Sequence, residues 1–184
     1  MISNAVRLIQ TALQAAPPDL TPLVAAMQPA DWADFAALVE YHEVAPLIWA
    51  SLRSYQRYLS PAYALHWKER YYLTAVRNDA RLSELHAICR DLAGQDIRPI
   101  VLKGMALAPT VYASIALRAM GDTDLLVRRR DVAVAWAVLS ARGYLVPPAS
   151  ARYWHLQFRN AGELRLIQRH TKAMVELHWW LCAG

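Results

Sequence analysis

A chain of 184 residues, 56% hydrophobic and 19% charged, carries enough apolar material for a folded core, which excludes wholesale disorder. Its net charge of +5 comes from 20 basic and 15 acidic residues, a surplus that suits an anionic partner such as a nucleotide, nucleic acid or phosphate without choosing among them. The longest apolar run, Val132 to Leu139, is far short of the roughly 18–20 residues that span a bilayer, no signal-type stretch follows Arg7, and the 2 cysteines lack disulfide-scaffold or zinc-finger spacing, so a cytoplasmic protein is expected.

The first half reads as helices. Val6, Ile9 and Leu13 recur at helical spacing over Ser3 to Gln14, and Pro17-Pro18 stops that segment. Asp31 is placed to cap a helix running through Val39. His42 to Leu52 reads as a third helix, interrupted early by Pro46, with His42 in packing or capping. A long helix spans about Ala62 to Ala93. Its expected inward stripe is Leu65, Tyr72, Val76, Leu82, Leu85, Cys89 and Leu92, and Gly94 is placed to end it.

At Ile97 the pattern changes. Ile97 to Leu102 reads as a short strand broken by Lys103-Gly104, and Met105 to Tyr112 as a helix that Pro109 kinks or shortens. Asp122 to Val127 is the second strand. Arg128-Arg129-Arg130 is a solvated turn or a phosphate contact. A helix from Arg130 or Asp131 to Arg142 ends at Gly143, and Tyr144 to Val146 forms a third strand. His155 to Arg159 and Glu163 to Gln168 flank Asn160-Ala161-Gly162, a hairpin turn. In the final strand, Lys172 to Trp180, Val175, Leu177 and Trp179 share one face, and Met174, Glu176, His178 and Trp180 the other. The order predicts an α/β (α+β) fold: a helical region over residues 1–93 and a mixed-sheet core over 94–184.

The chemistry concentrates in Gly121-Asp122-Thr123-Asp124-Leu125-Leu126-Val127. On a strand, Asp122 and Asp124 point to the same side. Adjacent carboxylates repel unless a cation sits between them, and such oxygen ligands suit Mg²⁺ or Mn²⁺. Alone, Asp-x-Asp also describes a turn or a pair of edge carboxylates. Upstream, Leu102-Lys103-Gly104 ends a strand and opens a helix, whose unpaired N–H groups offer a phosphate seat. Downstream, Glu176 adds a third carboxylate on a strand. No Walker or kinase motif is present, and neither Cys89 nor Cys182 has a catalytic partner in the sequence.

Taken in order, Leu102-Lys103-Gly104, Leu107, Tyr112, Arg118, Asp122 to Val127, Leu139, Gly143-Tyr144, His155 and Glu176-Leu177-His178-Trp179, with His42 to Ile48 upstream, resemble an uncharacterised bacterial nucleotidyltransferase family of the polymerase-β-like nucleotidyltransferase fold. The resemblance implies a metal-dependent transfer of an NMP from a nucleoside triphosphate to a hydroxyl acceptor (RNA, protein or small molecule), releasing pyrophosphate. It implies that Asp122, Asp124 and Glu176 form the catalytic, metal-holding set, with Glu176 as ligand or base. Lys103, Gly104, Arg118 and His178 would bind nucleotide and phosphate. Arg118 also suits a salt bridge to the aspartates, and His178 also suits orienting Glu176 or packing on the N-terminal helices. Tyr112, Tyr144 and Trp179 are expected in the core. Family members continue into further helices, whereas this sequence stops at Gly184, so self-association or a partner chain is expected. The alternative is an inactive or truncated binding module acting with a partner protein.

Overall fold

The protein is described by a computed structural model over residues 2–147 and 162–180. The proposed His155 to Arg159 strand, most of the Asn160-Ala161-Gly162 turn, and Cys182 lie outside the described residues. Two compact units divide the chain: Met1–Asn78 with Ala113–Ala119, and Asp79–Tyr112 with Met120–Gly184.

The first unit is helical. It contains α1 (Asn4–Ala12), α2 (Thr21–Ala26), α3 (Pro29–Tyr41), α4 (Ala45–Leu52) and the first half of α5 (Pro61–Ala93). Leu8, Phe35, Ile48, Leu52 and Trp67 are fully buried at its centre. Helix α2 is an addition to the predicted elements. Asp31 does not cap α3 as expected. Gln28 holds the cap position, and Asp31, one turn in, accepts the Gln28 N–H at 3.0 Å. That bond holds the Asp31 carboxyl below its usual range. Pro46 does not interrupt α4. It sits in the first turn, where a missing N–H costs nothing.

The expected stripe of α5 is wrong over its first half. Leu65, Tyr72 and Val76 are 57%, 57% and 68% exposed. The buried line instead runs through Trp67, Asn78, Leu85, Ile88 and Leu92, with Tyr63 and Tyr71 packed on the first core. Both lines have helical spacing, and the one carrying the large aromatic rings removes more area from water. Asn78 breaks the apolar pattern of that line. It is 1% exposed, and its amide donates to the carbonyls of Ile115 and Arg118 at 2.6 and 2.7 Å, which ties the 113–119 segment into this unit.

Gly94 does not end α5 in the left-handed conformation; Asp96 does, at φ 56°. The N–H of Ile97 donates to Leu92 and that of Asp96 to Ala93, both at 3.0 Å, closing a Schellman motif.

The second unit is a five-stranded mixed sheet with helices on its apolar face. Its elements are the end of α5, β1 (Ile100–Leu102), α6 (Lys103–Val111), β2 (Asp122–Leu126), α7 (Val132–Ala141), β3 (Tyr144–Leu145), β4 (Glu163–Gln168) and β5 (Met174–His178). The spatial order is β1-β2-β5-β4-β3. Strands β2 and β5 are parallel, and the other neighbours are antiparallel. Strand β1 is shorter than predicted. Leu125, Val175, Leu177, Leu164 and Leu166 form the inward face, against Leu85, Ile88 and Leu92 of α5 and Ala135 and Leu139 of α7.

Helix α7 ends as predicted at Gly143, which takes φ 84°. Beside it, Arg142 binds Glu84 at 2.9 Å and Asp91 at 2.6 Å, fastening the end of α7 to α5. Tyr144 is in the core as expected, and burial pushes its phenol up. Trp179 packs part-buried on the same core. Among the described residues, no helix is long and apolar enough to cross a membrane.

Candidate active site

The inward alternation of β2, β4 and β5 dictates what the opposite sheet face carries. Because Leu125, Leu177 and Leu166 turn into the core, the residues between them turn away from it. Register then aligns them. Asp124 pairs with Glu176 across the parallel strands, Glu176 with Arg165 across the antiparallel pair, and Glu163 with His178. On the other side Asp124 pairs with Leu102, and Lys103 follows directly. One row of the sheet thus carries Asp124, Glu176 and Arg165.

Asp124, Glu176 and His178 are 1%, 5% and 6% exposed. A buried carboxylate needs compensating charge or hydrogen bonds. Asp124 has two such partners. The Lys103 ammonium lies 2.6 Å from its Oδ1, and His178 Nε2 lies 2.9 Å from the same oxygen. Glu176 has Arg165, which donates to its Oε1 from Nε at 3.0 Å and Nη2 at 2.7 Å. Glu176 Oε2 faces the other way, 3.6 Å from Lys103 Nζ and 3.8 Å from His178 Nε2. His178 Nδ1 sits 3.5 Å from Glu163 Oε2.

The two cations respond to this field. The hydrogen bond to Asp124, then its charge and those of Glu176 and Asp122, hold the Lys103 ammonium above its ordinary value. The Glu176 hydrogen bond does the same for Arg165, with Glu163 and Asp122 adding to it. The charge of Asp122 therefore reaches both cations from its place two residues before Asp124.

Lys103 reaches the carboxylates from an unusual backbone. It has φ 48°, the left-handed region that L side chains rarely adopt. Gly104 lies inside the first turn of α6, and it is the residue before it that takes the left-handed conformation.

Among the predicted site residues, Lys103, Asp124, Glu176 and His178 come together directly, and Asp122 contributes charge. His178 faces the carboxylates. Arg118 belongs to the first unit, where its carbonyl accepts from Asn78. His155 lies outside the described residues. Arg165 and Glu163 were missed from the sequence. Their signal was present in Glu163-Leu164-Arg165-Leu166, whose alternation sends the two charged residues to the face opposite the leucines.

The model of a family described as uncharacterised nucleotidyltransferase matches residues 28–184. The chain belongs to this nucleotidyltransferase family. No curated protein and no solved structure matches it. Among the described residues, one group of side chains could hold a metal ion. Asp124, Glu176 and His178 each offer one ligand atom, and these atoms all lie within 4.8 Å of one another. Two anionic oxygens and an imidazole nitrogen are an ordinary ligand set for such an ion.

Proposed function

We propose that this member of the family transfers a nucleoside monophosphate from a nucleoside triphosphate to a hydroxyl-bearing acceptor, with release of pyrophosphate. The observation that carries the reading is the buried, in-register pair Asp124 and Glu176, with Asp122 on the same face and cations drawn to all three. Buried carboxylates this close are unfavourable in a purely structural sheet and suit the recruitment of positive charge.

Asp122, Asp124 and Glu176 are the residues that would hold Mg²⁺ or Mn²⁺. When bound, the ion supplies charge neutralisation at the α-phosphate during in-line displacement. Arg165 on Oε1, with Oε2 left near Lys103 and His178 beside Asp124, supports the ligand role for Glu176 over the base role. Lys103 is more than half exposed, so its ammonium can follow an incoming phosphate while its root stays at the start of α6. The backbone N–H groups of that first turn, at Gly104, add donors for the same phosphate. Arg165 is similarly exposed and provides a second cation at the opposite end of the row. Arg118 is assigned to the nucleotide on the family resemblance.

Calorimetric titration with the four nucleoside triphosphates in Mg²⁺ tests the reading, using the wild type and the Asp122→Ala, Asp124→Ala double variant. The expected result is magnesium-dependent binding of at least one nucleotide, lost in the double variant. A folded wild type that binds no triphosphate in either Mg²⁺ or Mn²⁺ would overturn it.

A further inference from the structure

The carboxylates account for an oxygen site, but the face they form also contains a buried imidazole. We propose that His178 Nε2 is itself a metal ligand, so that this site takes Mn²⁺ or another first-row transition ion in preference to Mg²⁺. This deepens the transferase reading and rests on it for the location of the ion.

Three observations carry the proposal. The first is the position of the nitrogen. Nε2 lies 2.9 Å from Asp124 Oδ1 and 3.8 Å from Glu176 Oε2. Neighbouring ligands around an octahedral ion bound at about 2.1 Å are separated by about 3 Å. Side-chain adjustments, with the Lys103 ammonium moving off Asp124 Oδ1, would therefore bring the three donors onto one ion.

The second is the other ring nitrogen. Nδ1 lies on the Glu163 side, 3.5 Å from its Oε2. The sheet imposes this arrangement, since Glu163 and His178 are register partners on β4 and β5. A ligating histidine characteristically turns its second nitrogen to a carboxylate or carbonyl, which fixes the tautomer and orients the ring. Without an ion, the 2.9 Å contact to Asp124 Oδ1 calls for a proton on Nε2; an ion bound there would require the other tautomer, with the proton on Nδ1, on the Glu163 side.

The third is burial. The His178 side chain is 8% exposed, and its Nε2 has the two buried carboxylates as neighbours. Strand alternation puts residue 178 on the same face as residue 176, so the ring is delivered by the sheet and not by a loop. The consequence is chemical. Imidazole suits transition ions such as zinc, iron and nickel, so an added imidazole shifts a carboxylate site away from Mg²⁺, which favours oxygen ligands and keeps much of its water.

The test is electron spin echo envelope modulation on the full chain loaded with Mn²⁺, which detects a ¹⁴N nucleus bound to the ion. Competition between Mn²⁺ and Mg²⁺ accompanies it. The expected result is nitrogen modulation in the wild type and its loss in His178→Gln. The Mn²⁺-over-Mg²⁺ preference should fall in that variant. Glu163→Gln should keep the nitrogen signal while weakening Mn²⁺ about 10-fold, the usual cost of losing an orienting partner. Binding that Asp124→Asn abolishes, but that shows no nitrogen signal, overturns the role of His178 and leaves the carboxylate site standing. A nitrogen signal that persists in His178→Gln overturns it equally. A wild type that binds no divalent ion overturns this proposal and the metal-dependent reading together.

Discussion

At the scale of single residues, Lys103 combines a strained backbone with a charge aimed at buried carboxylates. A non-glycine residue in a sparsely populated conformation costs on the order of 1–3 kcal/mol and persists only where its surroundings fix it. Here the fixing contacts are Asp124 at 2.6 Å and Glu176 at 3.6 Å. The ammonium therefore stands where an approaching divalent ion would also be drawn, and the two compete. Lys103→Met removes the competitor while keeping most of the side-chain volume. Urea denaturation in EDTA should show a loss of about 1 kcal/mol, a value moderated by the exposure of the lysine and by the His178 and Arg165 partners that stay behind. Calorimetry should show the same variant binding Mn²⁺ more tightly than the wild type. Weaker Mn²⁺ binding would mean that the lysine supports the ion instead of replacing it.

At the scale of elements, the end of α5 gives a prediction in which the sequence reading and the structure disagree. The sequence favours Gly94 as the stop, and the structure puts Asp96 in the left-handed position of the cap. Aspartate tolerates that conformation through its short polar side chain, but glycine adopts it more easily. Asp96→Gly should therefore raise stability by about 0.5–1 kcal/mol, read from the midpoint of chemical denaturation. Gly94→Ala should change stability little, because the entropy gained by replacing glycine is offset by a tight 3.3 Å contact of the new Cβ with the Asp91 carbonyl. The reverse ranking would restore Gly94 as the cap. The same contrast explains what was legible. The two central strands, β2 and β5, were readable, with Asp122 and Asp124 sharing one face and Glu176 and His178 sharing one face. The mixed sheet and the helical N-terminal region were equally readable from the change of period at Ile97. Helix α5 was found, but its inward line was not, because two apolar lines run along it and the buried one is interrupted by Asn78. The pairing of Glu176 with Arg165, and of His178 with Glu163, depends on register across separate strands, which local spacing does not encode.

At the scale of the whole molecule, the two hydrophobic clusters are distinct, and α5 supplies residues to both: Trp67 to the first, and Leu85, Ile88 and Leu92 to the second. Every proposed ion ligand lies in the second unit, on β2 and β5. A ligand that binds only the folded state adds stability by mass action, about 2.7 kcal/mol at 100 times its dissociation constant. For a protein of this size that corresponds to roughly 5–10 °C in the melting midpoint. Scanning calorimetry should show such a rise when Mn²⁺ replaces EDTA, and Asp124→Asn should abolish it. Hydrogen exchange adds the location. Amides of β2, β4 and β5 should gain more protection than those of α1 and α3, because the ion ties together strands whose opposed carboxylates are otherwise held by Lys103, Arg165 and His178. A rise that survives Asp124→Asn, or protection concentrated in α1 and α3, would place the ion elsewhere in the chain and remove the carboxylate row as its site.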